Sequence, residues 1–321
     1  MTVSIPIIIC IDVEPDDFSP APDRPVPWHG FEAAGDLVRA VRGSLEAATA
    51  RPARFSWFVR ADPQVDLIYG AAGWAFSRYA SLIADLVAAG DEIGVHAHAA
   101  RYSDEAGGWI EDFGSRDWVA ECVTTAFDAY AGAFGRPSRS VRMGNHYMDD
   151  PTSDLVERLG GRYDLTPEPG ARPRSRLGGR LVMTGELPDY ASFEPTPYRR
   201  STRSFRERDD ARDGLWVVPL STAMIGADAP EEARQASDDG SYLRLGLWYA
   251  PAAFRYVFDA CLRRSASPHL ALVMRSSMPL APAFDAAIRA NLEWIARHPL
   301  AGRFVVCGPE DAVGLLAAER L

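Results

Sequence analysis

Two histidines and two acidic residues have the types and spacing that a metal-dependent hydrolase needs. His96 and His98 lie two residues apart in a segment expected to be extended, so both imidazoles point to the same side. Asp12 and Glu14 have the same spacing directly after an apolar run. Imidazole and carboxylate groups are ligands of zinc and similar divalent metals. Two histidines and one carboxylate leave positions open for water, so the pattern predicts a hydrolytic metal site.

Each of these clusters also has a simpler explanation. A His-x-His pair can line a polar pocket, and carboxylates are common in surface loops. Asp12, however, ends a run of apolar residues, where an unpaired carboxylate is costly and needs a metal, an arginine or a functional role. Arg142 follows Val141 at the end of another apolar segment and could pair with Asp12, or it could be an ordinary surface arginine. The combination of histidines and acids favours the metal site.

Short apolar runs alternate with longer amphipathic stretches, and these elements must position the candidate residues. The periodicity predicts strands at Ile5–Asp12, Arg54–Arg60, Glu92–His96, Ser140–Met143, Arg162–Leu165, Leu270–Met274 and Phe304–Cys307. It predicts helices at Phe31–Ala50, Trp74–Ala89, Ser115–Phe134, Thr152–Leu159, Pro251–Arg264, Pro282–Arg297 and Pro309–Glu319. Repeated strand–helix alternation indicates an α/β protein with a parallel sheet covered by helices.

The sheet is predicted to close, or nearly close, into a β/α barrel. No G-x-G-x-x-G follows a strand, which disfavours an open dinucleotide-binding sheet. In a barrel, functional side chains lie at the C-terminal ends of the strands, where the candidates stand. Between Gly170 and Ser241 the alternation stops, and short β-like runs at Arg180–Thr184 and Leu215–Pro219 predict an insertion of hairpins and loops. We expect one catalytic domain over residues 1–321 that contains this insertion of residues 170–241.

The charge composition excludes several classes of function. The chain has 44 acidic and 34 basic residues, a net charge of −10, so no nucleic-acid partner and no anionic membrane surface are expected. All of the basic residues are arginine. Schiff-base chemistry, a pyridoxal anchor and a phosphate-loop lysine are therefore excluded. A small anionic substrate stays compatible, because local arginines can converge in a cleft.

The cysteines and the apolar segments give further expectations. Cys10, Cys122, Cys261 and Cys307 are far apart and form no C-x-x-C pair, so a zinc knuckle or redox motif is not expected. No apolar run reaches the ~20 residues that span a bilayer. The run Ile5–Ile11 is too short for a secretion signal, so we expect a cytoplasmic protein of undetermined oligomeric state.

Three segments resemble motifs of the polysaccharide deacetylase family, carbohydrate esterase family four. IIICIDVEPDD resembles the first motif, GDEIGVHAHA the histidine motif, and SVRMGNHYMDDPTSDLVERLGGRYDLTPEPG the third. They occur in the family's order, and the resemblance covers most of the chain. It implies a distorted seven-stranded β/α barrel and one divalent metal ion, with zinc expected and cobalt, manganese, nickel or iron as alternatives.

The resemblance also implies a role for each motif residue. Asp12 would be the catalytic base. The metal ligands would be Glu14, His96 and His98. Arg142 would orient the base.

The sequence departs from the family's pattern in three places. Val13 separates the two acids, which are usually adjacent aspartates. The second histidine usually lies four residues after the first, but position 100 is alanine, so His98 would replace it. The late strand usually supplies a histidine acid near its end, whereas here His269 stands at the start and Arg275 at the end.

These departures leave the general acid open. His146 and His29 are the candidates, and either could equally be a substrate contact or a plain loop histidine. We assign His146 to catalysis and predict that His29, Asn145 and Arg275 contact the substrate. Arg275 in place of a histidine indicates an anionic substrate group or a role in charge stabilisation.

The resulting hypothesis is hydrolysis of an N-acyl group, in particular N-acetyl, on a sugar or sugar-like small molecule. One alternative is a hydrolase of another C–N amide bond on the same barrel. The other is a non-catalytic carbohydrate-binding relative, for which aromatic residues of the insertion would supply binding faces.

Overall fold

The computed structural model describes residues 3–17, 20–174, 182–237, 240–265 and 268–318. Its strands are β1 (Ile5–Val13), β2 (Ser56–Arg60), β3 (Glu92–Ala97), β4 (Ala100–Ser103), β5 (Gly108–Asp112), β6 (Ser140–Met143), β7 (Tyr163–Asp164), β8 (Val182–Thr184), β9 (Tyr198–Arg199), β10 (Trp216–Val217), β11 (Thr222–Met224), β12 (Tyr242–Arg244), β13 (Leu270–Arg275) and β14 (Phe304–Val306). Its helices are α1 (His29–Thr49), α2 (Pro63–Tyr69), α3 (Trp74–Arg78), α4 (Ala80–Ala88), α5 (Arg116–Phe134), α6 (Asp150–Arg158), α7 (Glu231–Ala236), α8 (Pro251–Arg264), α9 (Pro282–Ala296) and α10 (Pro309–Ala318).

The main sheet is formed almost wholly by parallel strands. Among the described residues it has nine strands in the order β13–β1–β2–β3–β6–β7–β10–β9, with β14 paired to the first residues of β1. The β9–β10 pair is antiparallel, and the pairs from β13 to β10 are parallel. Seven of these strands match those predicted outside the insertion, and β9 and β10 come from the predicted insertion.

The sheet curls until its two ends meet through backbone hydrogen bonds. Beyond β10, the amide of Ser221 donates to the carbonyl oxygen of Ala271 on β13 at 3.0 Å. The amide of Leu247 likewise donates to the carbonyl oxygen of Val273 at 3.0 Å. These bonds connect the insertion side of the sheet to its opposite end. The architecture is therefore the distorted β/α barrel predicted from the sequence.

The alternation of side chains along β1 explains how the barrel positions its functional groups. Ile9 and Ile11 belong to the large apolar cluster beneath the helices, whereas Ile8 and Cys10 belong to a second cluster. Successive side chains of a strand point to opposite faces. Asp12 continues the series of Ile8 and Cys10, so its carboxylate follows the inward-facing residues at the C-terminal end of the strand.

Helix boundaries differ from the predicted ones where local geometry interrupts the apolar pattern. The helix predicted at Trp74–Ala89 is two helices, because Tyr79 leaves the helical conformation with φ −111° and ψ 27°. Helix α2 was not predicted; it begins after Asp62, whose carboxylate accepts from the amides of Gln64 and Val65. Residue 319, the predicted end of the last helix, lies outside the described residues.

The insertion contains short strands, as predicted, but these belong to three different sheets. β8 pairs with β5 of the unpredicted β4–β5 hairpin, and β11 pairs with β12. The predicted strand Arg180–Thr184 is seen from Val182 onward, because residues 175–181 lie outside the described part. The predicted strand Leu215–Pro219 is the shorter β10. The assignment of one domain to the whole chain stays a prediction.

The four cysteines are buried and form no disulfide with one another. In the part of the chain that the structure describes, no helix has the length and apolarity required to cross a membrane.

Candidate metal centre

Three strand ends converge on one cavity of about 320 Å³. Asp12 and Glu14 stand at the end of β1, His96 and His98 at the end of β3, and Arg142 on β6. All of them line the cavity and all are buried. The barrel thus brings together the acids and histidines that the sequence placed at separate strand ends.

Three of these side chains form a compact set of potential metal ligands. The Nε2 atoms of His96 and His98 face each other at 3.0 Å. They lie 3.6 and 3.7 Å from the carboxylate oxygens of Glu14. One ligand atom from each residue lies within 4.8 Å of the others. Two histidines and one carboxylate with this convergence fit a divalent metal with open positions for water or substrate.

The remaining ring nitrogens fix the orientation of both imidazoles. His96 Nδ1 lies 2.5 Å from the carbonyl oxygen of Arg142. Because a carbonyl can only accept, Nδ1 carries a proton, and in the neutral ring Nε2 keeps its lone pair for a metal. His98 Nδ1 lies 2.9 Å from the carboxylate of Glu111 on β5, which is fully buried. Carbonyl and carboxylate partners of this kind orient metal-binding histidines.

Buried charges around the ligands change their protonation. Burial opposes ionisation of Glu14, but its hydrogen bond to His96 and the charges of His98 and Arg60 outweigh burial and hold its pKa well below the usual value. Burial and the Arg60 guanidinium lower the pKa of His98 well below its usual value, which keeps the imidazole neutral. Burial raises the pKa of Glu111 to about 8. The neutral imidazole of His98 and the ionised carboxylate of Glu14 are the states that bind a divalent metal.

Asp12 is held beside the ligand set by a buried arginine. Arg142 Nε donates to both carboxylate oxygens of Asp12, at 2.8 and 3.0 Å. Arg142 also donates to the carbonyl oxygen of Leu165 at 2.7 Å, which anchors the guanidinium to β7. The predicted pairing of Arg142 with Asp12 is therefore present, and it keeps a carboxylate available next to the metal ligands.

His146 forms a second polar group on the cavity wall. Its Nδ1 lies 2.9 Å from Glu168, a fully buried carboxylate that also pairs with Arg244 at 2.9 Å. The backbone at Asn145 and His146 is left-handed, with φ 51° and 54°, which is uncommon for residues other than glycine. Tyr190 stabilises this turn by donating its hydroxyl to the carbonyl oxygen of His146 at 2.8 Å. The turn directs His146 toward the cavity.

Comparison with known proteins places this geometry in a known architecture. No family model matches the sequence, and no curated protein matches it. A solved structure from Mycobacterium smegmatis, assigned as a polysaccharide deacetylase, is 15% identical and superposes with a TM-score of 0.53 over 99% of this chain and 92% of that one. A second protein so assigned, from Pseudomonas aeruginosa PAO1, is 15% identical with a TM-score of 0.50 over 98% of this chain and 91% of that one.

The chain has the polysaccharide deacetylase fold. PuuE allantoinase superposes equally well, at 14% identity and a TM-score of 0.54, over 98% of this chain and 90% of that one. The deacetylase fold is therefore shared with an enzyme named for a different reaction. The side chains of the cavity, not the fold, must carry the argument about chemistry.

Some of the other predicted site residues line the cavity of this deacetylase fold, and others lie away from it. Asn145 and Arg275 line the cavity, and the Nδ2 of Asn145 lies 3.4 Å from His98 Nδ1. His29 does not line it; this residue begins α1, is largely exposed, and borders a different cavity beside Trp74. His269 lies at the opposite end of β13, where its Nε2 is 3.2 Å from the carbonyl oxygen of Pro219. The position of His29 gives no support to its predicted contact with the substrate, and His146 is the better candidate for the acid.

Several charged residues of this deacetylase-fold site were missed by the sequence analysis, among them Arg60, Glu111 and Glu168. Arg60 ends β2 and Glu168 follows β7, so the rule that strand ends carry function points to both. Glu111 follows no predicted strand, and its contact with His98 depends on how the β4–β5 hairpin folds back. The sequence contains no pattern that indicates this contact.

Gly144 is required by the close packing of the His98 ring. A β-carbon at Gly144 would overlap the imidazole of His98. We expect Gly144→Ala to displace the ring from Glu111 and Glu14 and to weaken metal binding by about 10–100-fold, as other changes beside metal ligands do. Metal titration by calorimetry measures this. Gly132→Ala in α5 is the matched control, because its β-carbon would meet no described atom within 4 Å; equal affinities for the two variants would contradict the expectation.

Proposed function

We propose that the chain is a metal-dependent hydrolase of amide C–N bonds, which removes an N-acyl group, in particular N-acetyl, from a sugar or sugar-like small molecule. One observation carries the proposal. The Nε2 atoms of His96 and His98 converge with the carboxylate of Glu14, directly beside the Asp12–Arg142 pair. A set of ligands and an adjacent base are the two parts that metal-assisted amide hydrolysis requires.

Glu14, His96 and His98 would hold the metal, which when bound acidifies water and polarises the amide carbonyl. Asp12 would take the proton from the attacking water. Its two hydrogen bonds from Arg142 fix the direction of the carboxylate. Both buried acidic residues at the end of β1, Asp12 and Glu14, thus have a role in this proposal.

His146 would protonate the leaving amine. His146 Nδ1 would donate a hydrogen bond to Glu168, which leaves Nε2 to exchange a proton with the substrate. The acid would come from the turn after β6. The histidine that the polysaccharide deacetylase family usually has near the end of its late strand is replaced here by Arg275. Asp12 lies in β1 and His146 lies in the turn after β6, so an amide bound between them would meet the base and the acid on different sides.

A second candidate is hydrolysis of a different amide. The similarity to PuuE allantoinase favours it, because that protein has the same fold and is named for action on another class of C–N bond. A cavity of about 320 Å³ is also at the small end of the range for ligand sites, and suits a small amide better than a polymer.

The test is release of free amine from a panel of substrates by the metal-loaded protein. The panel contains N-acetylated sugars, N-acetyl amino acids, cyclic amides and dipeptides, each with a chelator-treated control. Turnover of an N-acetylated compound that chelation abolishes supports the proposal. Turnover of cyclic amides alone supports the second candidate. Binding of N-acetyl sugars with no turnover of any compound would contradict both and favour a non-catalytic binder.

A further inference from the structure

The lining of the cavity has more basic than acidic side chains, whereas the whole chain has more acidic than basic ones. Whole-chain composition is acidic, with 44 acidic and 34 basic residues. The described lining of the cavity has four guanidinium groups and two carboxylates: Arg142, Arg174, Arg244 and Arg275 against Asp12 and Glu14. A concave site lined by one sign of charge concentrates ligands of the other sign.

Internal contacts engage three of the four guanidinium groups, and Arg174 is one of these three. Arg142 is neutralised by Asp12 at 2.8 Å. Arg244 is neutralised by Glu168 at 2.9 Å. Arg275 differs, since no carboxylate of the described residues lies within ion-pair distance of its guanidinium, and its side chain is exposed at the end of β13.

Arg275 lies on the cavity wall next to the strand that carries Asp12. It is the residue paired in register with Asp12 across the β1–β13 ladder, so it stands beside the predicted base. Arg244 and Trp248 reach the same wall, because the chain between them pairs with β13 through the Gly246–Val273 bridge. Arg244 lies 5.8 Å from the centre of the Trp248 ring. One wall of the cavity therefore combines positive charge with an apolar surface.

We propose that the substrate carries an acidic group, a carboxylate or a phosphate, and that Arg275 binds this group while the amide lies at Glu14, His96 and His98. The inference rests on the proposed function for the position of the amide. A guanidinium recognises either acid through paired N–H donors. Arg275 is then a specificity-determining residue that selects small acidic amides over neutral ones.

Binding of matched pairs of probes tests the inference separately from turnover. The pairs are N-acetylglucosamine with its 1-phosphate and 6-phosphate, and N-acetylglycine and N-acetylleucine with their neutral carboxamides. Calorimetry compares the metal-loaded wild type, Arg275→Gln and Arg289→Gln. Arg289 is the control because it pairs with Asp285 on α9 and does not line the cavity.

We expect at least one acidic probe to bind the wild type about tenfold more tightly than its neutral partner, since one charge-assisted contact contributes that much. Arg275→Gln should remove this preference without weakening the neutral probe, and Arg289→Gln should keep it. Preferential binding of the sugar phosphates would indicate a phosphate group, and preferential binding of the N-acetyl amino acids would indicate a carboxylate. The absence of any acidic preference, including the absence of binding, or a preference that survives in Arg275→Gln, would overturn the inference. Metal content and amine release, measured on the same samples, report separately whether the proposed function fails.

Discussion

An Asp12→Asn variant is expected to bind metal as the wild type does and to hydrolyse amides about 100- to 10,000-fold more slowly, the usual contribution of a general base. Asparagine has nearly the same shape as aspartate, so Arg142 can still donate to its oxygen. It cannot accept the proton of the attacking water. The metal ligands are other residues, and the ligand set should be left intact.

The measurement is kcat on whichever amide the substrate panel identifies, together with metal content. Asp285→Asn is the control, because it makes the same change in an ion pair on α9 away from the cavity. Full activity of Asp12→Asn would remove Asp12 from its role as base. Loss of metal together with activity would instead make Asp12 a ligand, which contradicts the assignment of Glu14 to that role.

Replacing Arg142 by methionine is expected to lower the free energy of unfolding by about 3–5 kcal/mol, as loss of one partner of a buried ion pair does. Asp12 is 5% exposed and Arg142 is 4% exposed, so water in the cavity can replace the lost contacts only in part. The variant also loses the hydrogen bond to the carbonyl oxygen of Leu165. An uncompensated carboxylate would remain in the interior of the barrel.

Urea denaturation of chelator-treated protein measures this loss without a contribution from bound metal. The double variant Asp12→Asn/Arg142→Met should recover at least about 1 kcal/mol, because neighbouring groups in one network are coupled. Arg289→Met, which removes a partly exposed pair, should cost less than about 1 kcal/mol. Equal losses for Arg142→Met and the double variant would show that the charge of Asp12 is not the cause.

The central residues of the site were predictable from sequence because they depend on strand geometry alone. Asp12 and Glu14, and likewise His96 and His98, are two residues apart at the ends of apolar strands, and parallel strands in a barrel bring such ends together. The structure confirms the barrel and the convergence of these side chains. It also contains the pairing of Arg142 with Asp12 that the sequence analysis considered.

The residues that support the site could not be predicted in the same way. Glu111 reaches His98 through a hairpin whose strands have no clear alternation of apolar residues. The His146–Glu168 contact depends on two consecutive left-handed residues, which the sequence does not indicate for Asn145 and His146. Long-range contacts made by loops depend on tertiary packing, which periodicity does not encode. The same reason explains why the insertion was predicted only as hairpins and loops.

The most direct test of the account is the metal content of the purified protein, measured beside the His96→Ala/His98→Ala variant. Both Nε2 atoms face Glu14 and each other, so removal of both imidazoles leaves one carboxylate, which is insufficient for tight binding. We predict about one equivalent of divalent metal in the wild type and none in the variant. A wild-type protein that binds no metal after incubation with zinc, cobalt or manganese would contradict the proposed hydrolase and leave a non-catalytic binding site as the better explanation.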